Sequence, residues 1–286
     1  NCKIVSDSSS NILNIADVPY ATVPLKVITA EREYVDDAAL DVAGMIADLR
    51  GVKGKTKTSC PNAFEWQEVF GDAAEVFAIA ITSQLSGSFA AAQKAKEDAL
   101  AADPTRKICV LDSLSTGPEM QLLIERMRAD ILSGAAFEEV EERVRGYAKH
   151  THLLFSLQSL DNLAKNGRCS MALAKVAGVL GIRVVGDVKG GEITPVHKPR
   201  GAKKATETLV EMIKERGFYD GAQLRIAHCF GETQAKALAD AVLAQFPNAR
   251  ITIEPTTALC SFYAEAGGLM IGFEGGYNAE NDGEKF

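Results

Sequence analysis

Val76-Phe77-Ala78-Ile79-Ala80-Ile81-Thr82-Ser83-Gln84-Leu85-Ser86-Gly87-Ser88 sets the reading of the whole chain. Its first half is an uncharged apolar run, the pattern of a strand covered on both faces, and over residues 89–101 apolar side chains recur at helical spacing. Between strand and helix lies a turn of hydroxyls with one glycine. Strand, turn and helix in that order form the repeating unit of a wound α/β sheet. The unit recurs: residues 3–6, 23–28 and 107–111 read as further buried parallel strands, and helices are expected over 41–49, 61–71, 89–101, 118–133 and 137–149.

After His150 the rhythm changes. A short apolar strand at 153–155 leads to two short helices around Lys165-Asn166-Gly167-Arg168, where Gly167 can close the first. Residues 182–188 and 192–197 flank Gly190-Gly191, a pair suited to the positive φ of a tight hairpin. A helix (202–216), a strand (223–229), a helix (232–245), a strand (250–254) and an apolar ending (268–273) complete the pattern. At 286 residues two domains are expected: 1–150, an α/β domain with a mostly parallel sheet and flanking helices, and 151–286, an α+β domain.

A formal net charge of -7 argues against nucleic acid or an anionic membrane as the main partner, since both require a basic face. The six cysteines are scattered without C-x-x-C spacing, which points to neither a disulfide framework nor zinc and fits a reducing cytosol. No apolar run approaches the length of a membrane span and no signal-peptide pattern is seen, so a cytoplasmic protein without stable membrane insertion is expected.

Three first-half turns are crowded with hydroxyls just before a helix: Asp7-Ser8-Ser9-Ser10, Thr58-Ser59-Cys60-Pro61 and Ser83 to Ser88. In an open α/β sheet such turns gather at the carboxyl edge, where helix N-termini offer free N–H groups to an anion. Pro61 suits a first helical turn, and Gly87 lets the backbone approach a ligand. Capping alone explains any one such turn; three at one edge favour a site. Nucleotide loops, the G-x-S-x-G elbow, S-x-x-K and H-E-x-x-H are all missing. The four histidines lie far from these turns in sequence, so a reaction using Ser86 as nucleophile requires the fold to supply its base.

Other features receive plainer readings. His150-Thr151-His152 has no third metal ligand at suitable spacing and reads as a solvated strand entry. Trp66, on a stripe with Phe64, Val69 and Phe70, reads as core, while Asp36-Asp37 and the glutamates after residue 137 suit helix starts. Lys165, Arg168, Lys198, Arg200, Lys203 and Lys204 cluster at two turns, as a solvated rim or as an invitation to an anionic partner.

Taken in order, several motifs resemble those of the DegV family, which includes the fatty-acid-binding subunit of bacterial fatty acid kinase. Ile4-Val5-Ser6-Asp7-Ser8-Ser9 and Val23-Pro24-Leu25 are similar to its first two strands. Thr58-Ser59-Cys60-Pro61-Asn62 resembles its Thr-Ser-Gln-Pro-Ser signature, and Leu85-Ser86-Gly87-Ser88-Phe89 its Leu-Ser-Gly-Thr-Tyr signature. Leu111-Asp112-Ser113, Leu160 to Arg168 and Lys198-Pro199-Arg200-Gly201 resemble three more.

The resemblance implies a carrier rather than an enzyme, with one long-chain fatty acid in a tunnel between the domains and no cofactor. By the same resemblance Thr58 and Ser86 hold the carboxylate, with Ser59, Gly87 and Ser88 around them, and Arg168 and Arg200 face a separate fatty acid kinase. That kinase would phosphorylate the carboxylate for phospholipid synthesis. Burying about fourteen methylenes at about 0.8 kcal/mol each gives on the order of 11 kcal/mol gross, so the tunnel would supply affinity and the hydroxyls orientation. The chain departs from the family where a His-x-Gly-Pro-Gly stretch is usual: Ser261-Phe262-Tyr263-Ala264-Glu265-Ala266-Gly267 stands there, and Tyr263, nearest the histidine position, can donate to a carboxylate but carries no cation. A serine-dependent acyl or phosphoryl transferase or hydrolase using Ser86 is the alternative.

Overall fold

The computed structural model describes residues 2–281. Strands β1 (Cys2–Asp7) and β2 (Tyr20–Val23) open the chain, followed by β3 (Lys26–Ile28), β4 (Glu33–Val35), helix α1 (Val42–Gly51) and β5 (Lys57–Ser59). Helix α2 (Ala63–Phe70), β6 (Glu75–Ala80), α3 (Ser88–Ala102), β7 (Lys107–Asp112), α4 (Pro118–Leu132) and α5 (Phe137–Ala148) follow. The buried apolar runs pair in parallel in the order β2-β1-β6-β7, so the carboxyl ends of all four strands lie on one edge. Trp66 and Phe70 pack between α2 and this sheet with no exposed surface.

The second half contributes β8 (Thr151–Leu157), α6 (Asp161–Lys165), α7 (Met171–Ala177), β9 (Val184–Lys189), β10 (Glu192–His197) and α8 (Ala202–Glu215). It ends with β11 (Gln223–His228), α9 (Glu232–Leu243), β12 (Arg250–Pro255), α10 (Ala258–Ala264) and β13 (Leu269–Glu274). Its six strands form one mixed sheet, β10-β9-β8-β13-β11-β12, with α8 and α9 packed on one face. Gly190 and Gly191 adopt φ of 55° and 86° in the β9–β10 hairpin, and Gly167 at φ 74° ends α6, as their sequence context predicts.

Four expectations are corrected. Residues 23–28 are not one parallel strand: proline at 24 has no N–H for a ladder, and the Leu25 amide instead donates to Ser8 Oγ at 2.9 Å. The chain turns there, and β3 joins a separate antiparallel sheet, β4-β3-β5. Pro61 lies outside α2 rather than in its first turn, because Asn62 caps the helix reciprocally with Glu65, at 2.9 and 2.8 Å. His152 is buried rather than solvated, its Nε2 at 3.0 Å from the Gly276 carbonyl and its ring stacked on Phe273. Phe64 is 64% exposed, so the α2 core stripe excludes it.

Helix α10 has no counterpart in the sequence-based reading. Its N-cap, Thr257, makes no side-chain bond to the helix, and Asp36 does the capping from the other half of the chain. Asp36 Oδ1 accepts from the Ala258 amide at 2.8 Å and Oδ2 from the Leu259 amide at 3.0 Å. Asn11 adds a second tie, its Oδ1 accepting from the Thr257 amide at 3.0 Å and the Thr257 hydroxyl at 2.9 Å. Thus α10, drawn from the second half, is seated against β3 and α1 of the first through Phe262, Val27, Tyr34 and Met45.

Among the described residues no helix is long and apolar enough to cross a membrane.

Candidate functional site

Where the parallel sheet's carboxyl edge meets the six-stranded sheet there is a cavity of about 360 Å³, within the range of small-molecule sites. Its shaft is apolar: β8 contributes Leu153, Phe155 and Leu157, three residues of one face. Leu25 and Ile81 of the first half cover it together with Leu259 of α10, and Val188 and Ile193 of the β9–β10 hairpin also line it. The hairpin tip docks on the end of β6, Thr82 Oγ1 donating to the Gly191 carbonyl at 3.0 Å. A Cβ on Gly191 would lie 2.1 Å from that Thr82 oxygen, so only glycine permits the approach.

One end of the shaft is polar. Thr58 and Ser59 at the end of β5, and Ser86 and Gly87 at the start of α3, all line it. Thr58 Oγ1 and Tyr263 Oη lie 2.6 Å apart, a hydroxyl pair joining β5 to α10. Helix α3 has Gly87 as its N-cap with no side-chain bond, which leaves amide donors for a ligand. Ser86 Oγ accepts from the Ser88 amide at 3.2 Å, holding the turn in shape. Burial pushes the Tyr263 phenol above its usual range, outweighing the opposing pull of the Thr58 bond and Arg168, so it remains a proton donor at neutral pH.

Arg168 is the one charged side chain in the cavity wall among the described residues. Its Nε donates to the Leu85 carbonyl at 3.2 Å and its Nη1 to the Asn166 carbonyl at 2.7 Å, while the guanidinium carbon lies 5.8 Å from the Tyr263 ring centroid. It also lines an adjoining polar recess with Gln84, Asn166, Gly167 and Glu192. Cys60 lines the same mouth, its Sγ 3.3 Å from where a Cβ on Gly87 would stand.

The sequence-predicted residues therefore separate into two groups. Thr58, Ser59, Ser86, Gly87, Tyr263 and Arg168 converge on the cavity. Ser88 does not: it has no exposed surface, and its hydroxyl donates to Asp7 Oδ2 at 2.7 Å. The Asp7-Ser8-Ser9-Ser10 turn is likewise buried and lines no part of the cavity. Asp7 instead bolts the three chain segments together, accepting also from the Ile81 amide at 2.9 Å and the Ser9 hydroxyl at 2.5 Å. Burial pushes its carboxyl upward while these donors pull it down. Arg200 is exposed and outside the cavity wall, paired through its backbone with Ile182.

The resemblance implied a tunnel between the domains, but sequence reasoning named none of the apolar residues that line its shaft. Alternation along β8 signals which residues share a face, but not whether that face meets helices or a ligand. Asp36, assigned no role from its acidic run, positions Tyr263 through α10. No histidine lines the cavity among the described residues, and no group of three His, Cys, Asp or Glu side chains there is placed to hold a metal ion.

The model of the DegV family, described as uncharacterised proteins, matches residues 1–274. The chain belongs to the DegV family. A DegV domain-containing protein of Streptococcus pneumoniae strain R6 is 38% identical over 277 residues, covering 95% of this chain and 98% of that protein. Among solved structures, a DegV family protein from Eubacterium eligens loaded with heptadecanoic acid is 36% identical, covers 96% of this chain and 100% of its own, and superposes with a TM-score of 0.93. The Streptococcus pneumoniae fatty acid kinase B3 protein loaded with linoleic acid is 37% identical, with 96% and 99% coverage and a TM-score of 0.93. The arrangement of a parallel sheet, flanking helices and a second mixed sheet is thus the DegV fold.

Proposed function

We propose that the cavity holds one long-chain fatty acid, its acyl chain in the shaft and its carboxylate at the polar mouth. The observation that carries this reading is the polarity gradient. Hydroxyls and the N-terminus of α3, whose N-cap Gly87 makes no side-chain bond, converge at one end of a cavity of about 360 Å³ whose walls are otherwise mainly apolar. Thr58, Ser59, Ser86, Gly87 and Tyr263 are donors without formal charge; a carboxylate held by them keeps an oxygen for reaction. Two relatives of the same fold, each more than 35% identical, are loaded with fatty acids, which supports the same ligand class here.

The chain presents that carboxylate to a separate fatty acid kinase, with Arg168 beside the mouth and Arg200 on the exposed rim as docking residues. On this reading the protein works in the cytoplasm, as a carrier that needs no cofactor of its own. Its working division is 1–150, which supplies the carboxylate-binding turns, and 151–286, which completes the tunnel. The reading of Ser86 as a nucleophile finds no support in the cavity wall, where among the described residues no imidazole stands to take its proton.

Native mass spectrometry of the purified protein, followed by denaturing extraction, tests the proposal. One equivalent of a long-chain fatty acid, reduced in a Thr58→Ala/Ser86→Ala double variant, is the expected result. A protein that is empty and takes up no added fatty acid refutes it.

A further inference from the structure

If the polar mouth fixes one end of a bound chain, the opposite end decides how many carbons fit. Strand periodicity identifies that end. Leu153, Phe155 and Leu157 share the cavity-facing side of β8. Leu157 belongs to the cluster containing Tyr263, beside the mouth, whereas Leu153 packs with Cys260 and Met270. The four-residue step between them spans about 13 Å of strand.

At the Leu153 end the cavity meets the thioether of Met270, set on β13 opposite Phe155. Its terminal methyl lies 2.9 Å from where a Cβ on Gly117 would stand. Gly117 adopts φ 53°, a conformation that favours glycine, so the methyl occupies space any other residue would fill. Behind this wall the chain is closed: a Cβ on Gly272 would lie 2.4 Å from the Glu119 amide nitrogen. The two hydroxyls nearby are already committed. Ser115 Oγ donates to Glu119 Oε2 at 2.5 Å and Thr116 Oγ1 to the Ser9 carbonyl at 3.3 Å, so neither seeks a proton acceptor on the ligand.

The geometry points to Met270 as the residue that sets the acyl chain length this cavity accepts, with Gly117 providing the room its methyl needs. This inference rests on the reading of the cavity as a fatty-acid tunnel. Methionine is unbranched and fills irregular gaps, so shortening or thickening it moves the end wall with little change elsewhere.

The test loads the intact protein with an equimolar ladder of saturated fatty acids from lauric to arachidic acid and identifies the retained acids by native mass spectrometry. Met270→Ala shifts the retained maximum toward longer chains by about two carbons. Met270→Phe shifts it toward shorter ones, and Leu132→Ala, at a half-exposed position outside the cavity, leaves it unchanged. Both Met270 variants keeping the wild-type distribution, with melting temperatures showing them folded, overturns the assignment; if Met270→Ala does not fold, Met270→Phe alone decides. A wild-type protein that retains no acid refutes the tunnel reading itself, and is recognised before any substitution is made.

Discussion

Thr58 and Tyr263 bring two hydroxyl protons to the mouth, but at 2.6 Å apart they spend one on each other. The pair therefore offers a single proton to a bound carboxylate. Tyr263→Phe leaves Thr58 with its own proton still available, and Thr58→Val leaves that of Tyr263. Each single variant loses the aim and polarisation of the remaining donor, about 1 kcal/mol, or roughly fivefold in affinity. The double variant also loses the charge-assisted bond, a further 1.5–3 kcal/mol or so, for a total of about 2.5–4 kcal/mol and a weakening on the order of a hundred- to a thousandfold. The two changes are thus more than additive.

Displacement of a fluorescent fatty acid measures this cycle, with the methyl ester of the same acid as the uncharged comparison. The ester's affinity is expected to change little, because the apolar shaft is untouched. A double variant within fivefold of wild type, or single variants that each cost as much as the double, would refute the reasoning.

Three further outcomes follow from the geometry. Ser88→Ala removes the donor to buried Asp7 and lowers stability by about 1–3 kcal/mol in urea unfolding while leaving fatty-acid affinity unchanged, whereas Ser86→Ala weakens fatty-acid binding and, by freeing the Ser88 amide, costs about 1 kcal/mol of stability as well. Asp36→Ala orphans the Ala258 and Leu259 amides and destabilises by about 3 kcal/mol; hydrogen exchange of those two amides rises with it. Burial pulls the His152 imidazole below its usual 6.5, against the opposing pull of the Gly276 carbonyl. The unfolded chain therefore takes up this proton first as pH falls through about 6.5, and stability present above that value declines until the lower folded pKa is reached. Melting temperatures between about pH 7.5 and 5.5 check this against His152→Gln, which loses that part of the slope.

Much of the fold was legible because its signals are local. The run 76–82 needed only its own composition to read as a buried strand, and Gly167 and Gly190-Gly191 announced their turns by position. The site was legible in part. Thr58 and Ser86 both sit at strand-to-helix turns, but β5 belongs to the small antiparallel sheet and β6 to the parallel one, so their meeting at one mouth follows from how the two sheets pack rather than from one sheet's edge. Ser86 and Ser88 are two residues apart in one turn, yet one faces the cavity and the other Asp7; rotation about a helix start decides that, and composition is blind to it. Leu25 lies next to Pro24, but its turn into the cavity depends on the Ser8 hydroxyl that captures its amide. Asp36 caps a helix more than two hundred residues further on, a relation that exists only after folding.

The seating of α10 carries a kinetic consequence. Tyr263 belongs to a helix whose first turn is held by Asp36 and Asn11, side chains from the opposite half of the chain. Parting the halves along that seam would break the Asp36 bonds and expose two helix-end amides, so an exit by that route would carry a barrier separate from the binding energy. A ligand retained behind such a barrier has a long dwell time even when its equilibrium affinity is ordinary. A carrier that must survive the interval between loading and delivery benefits from that separation of rate and affinity.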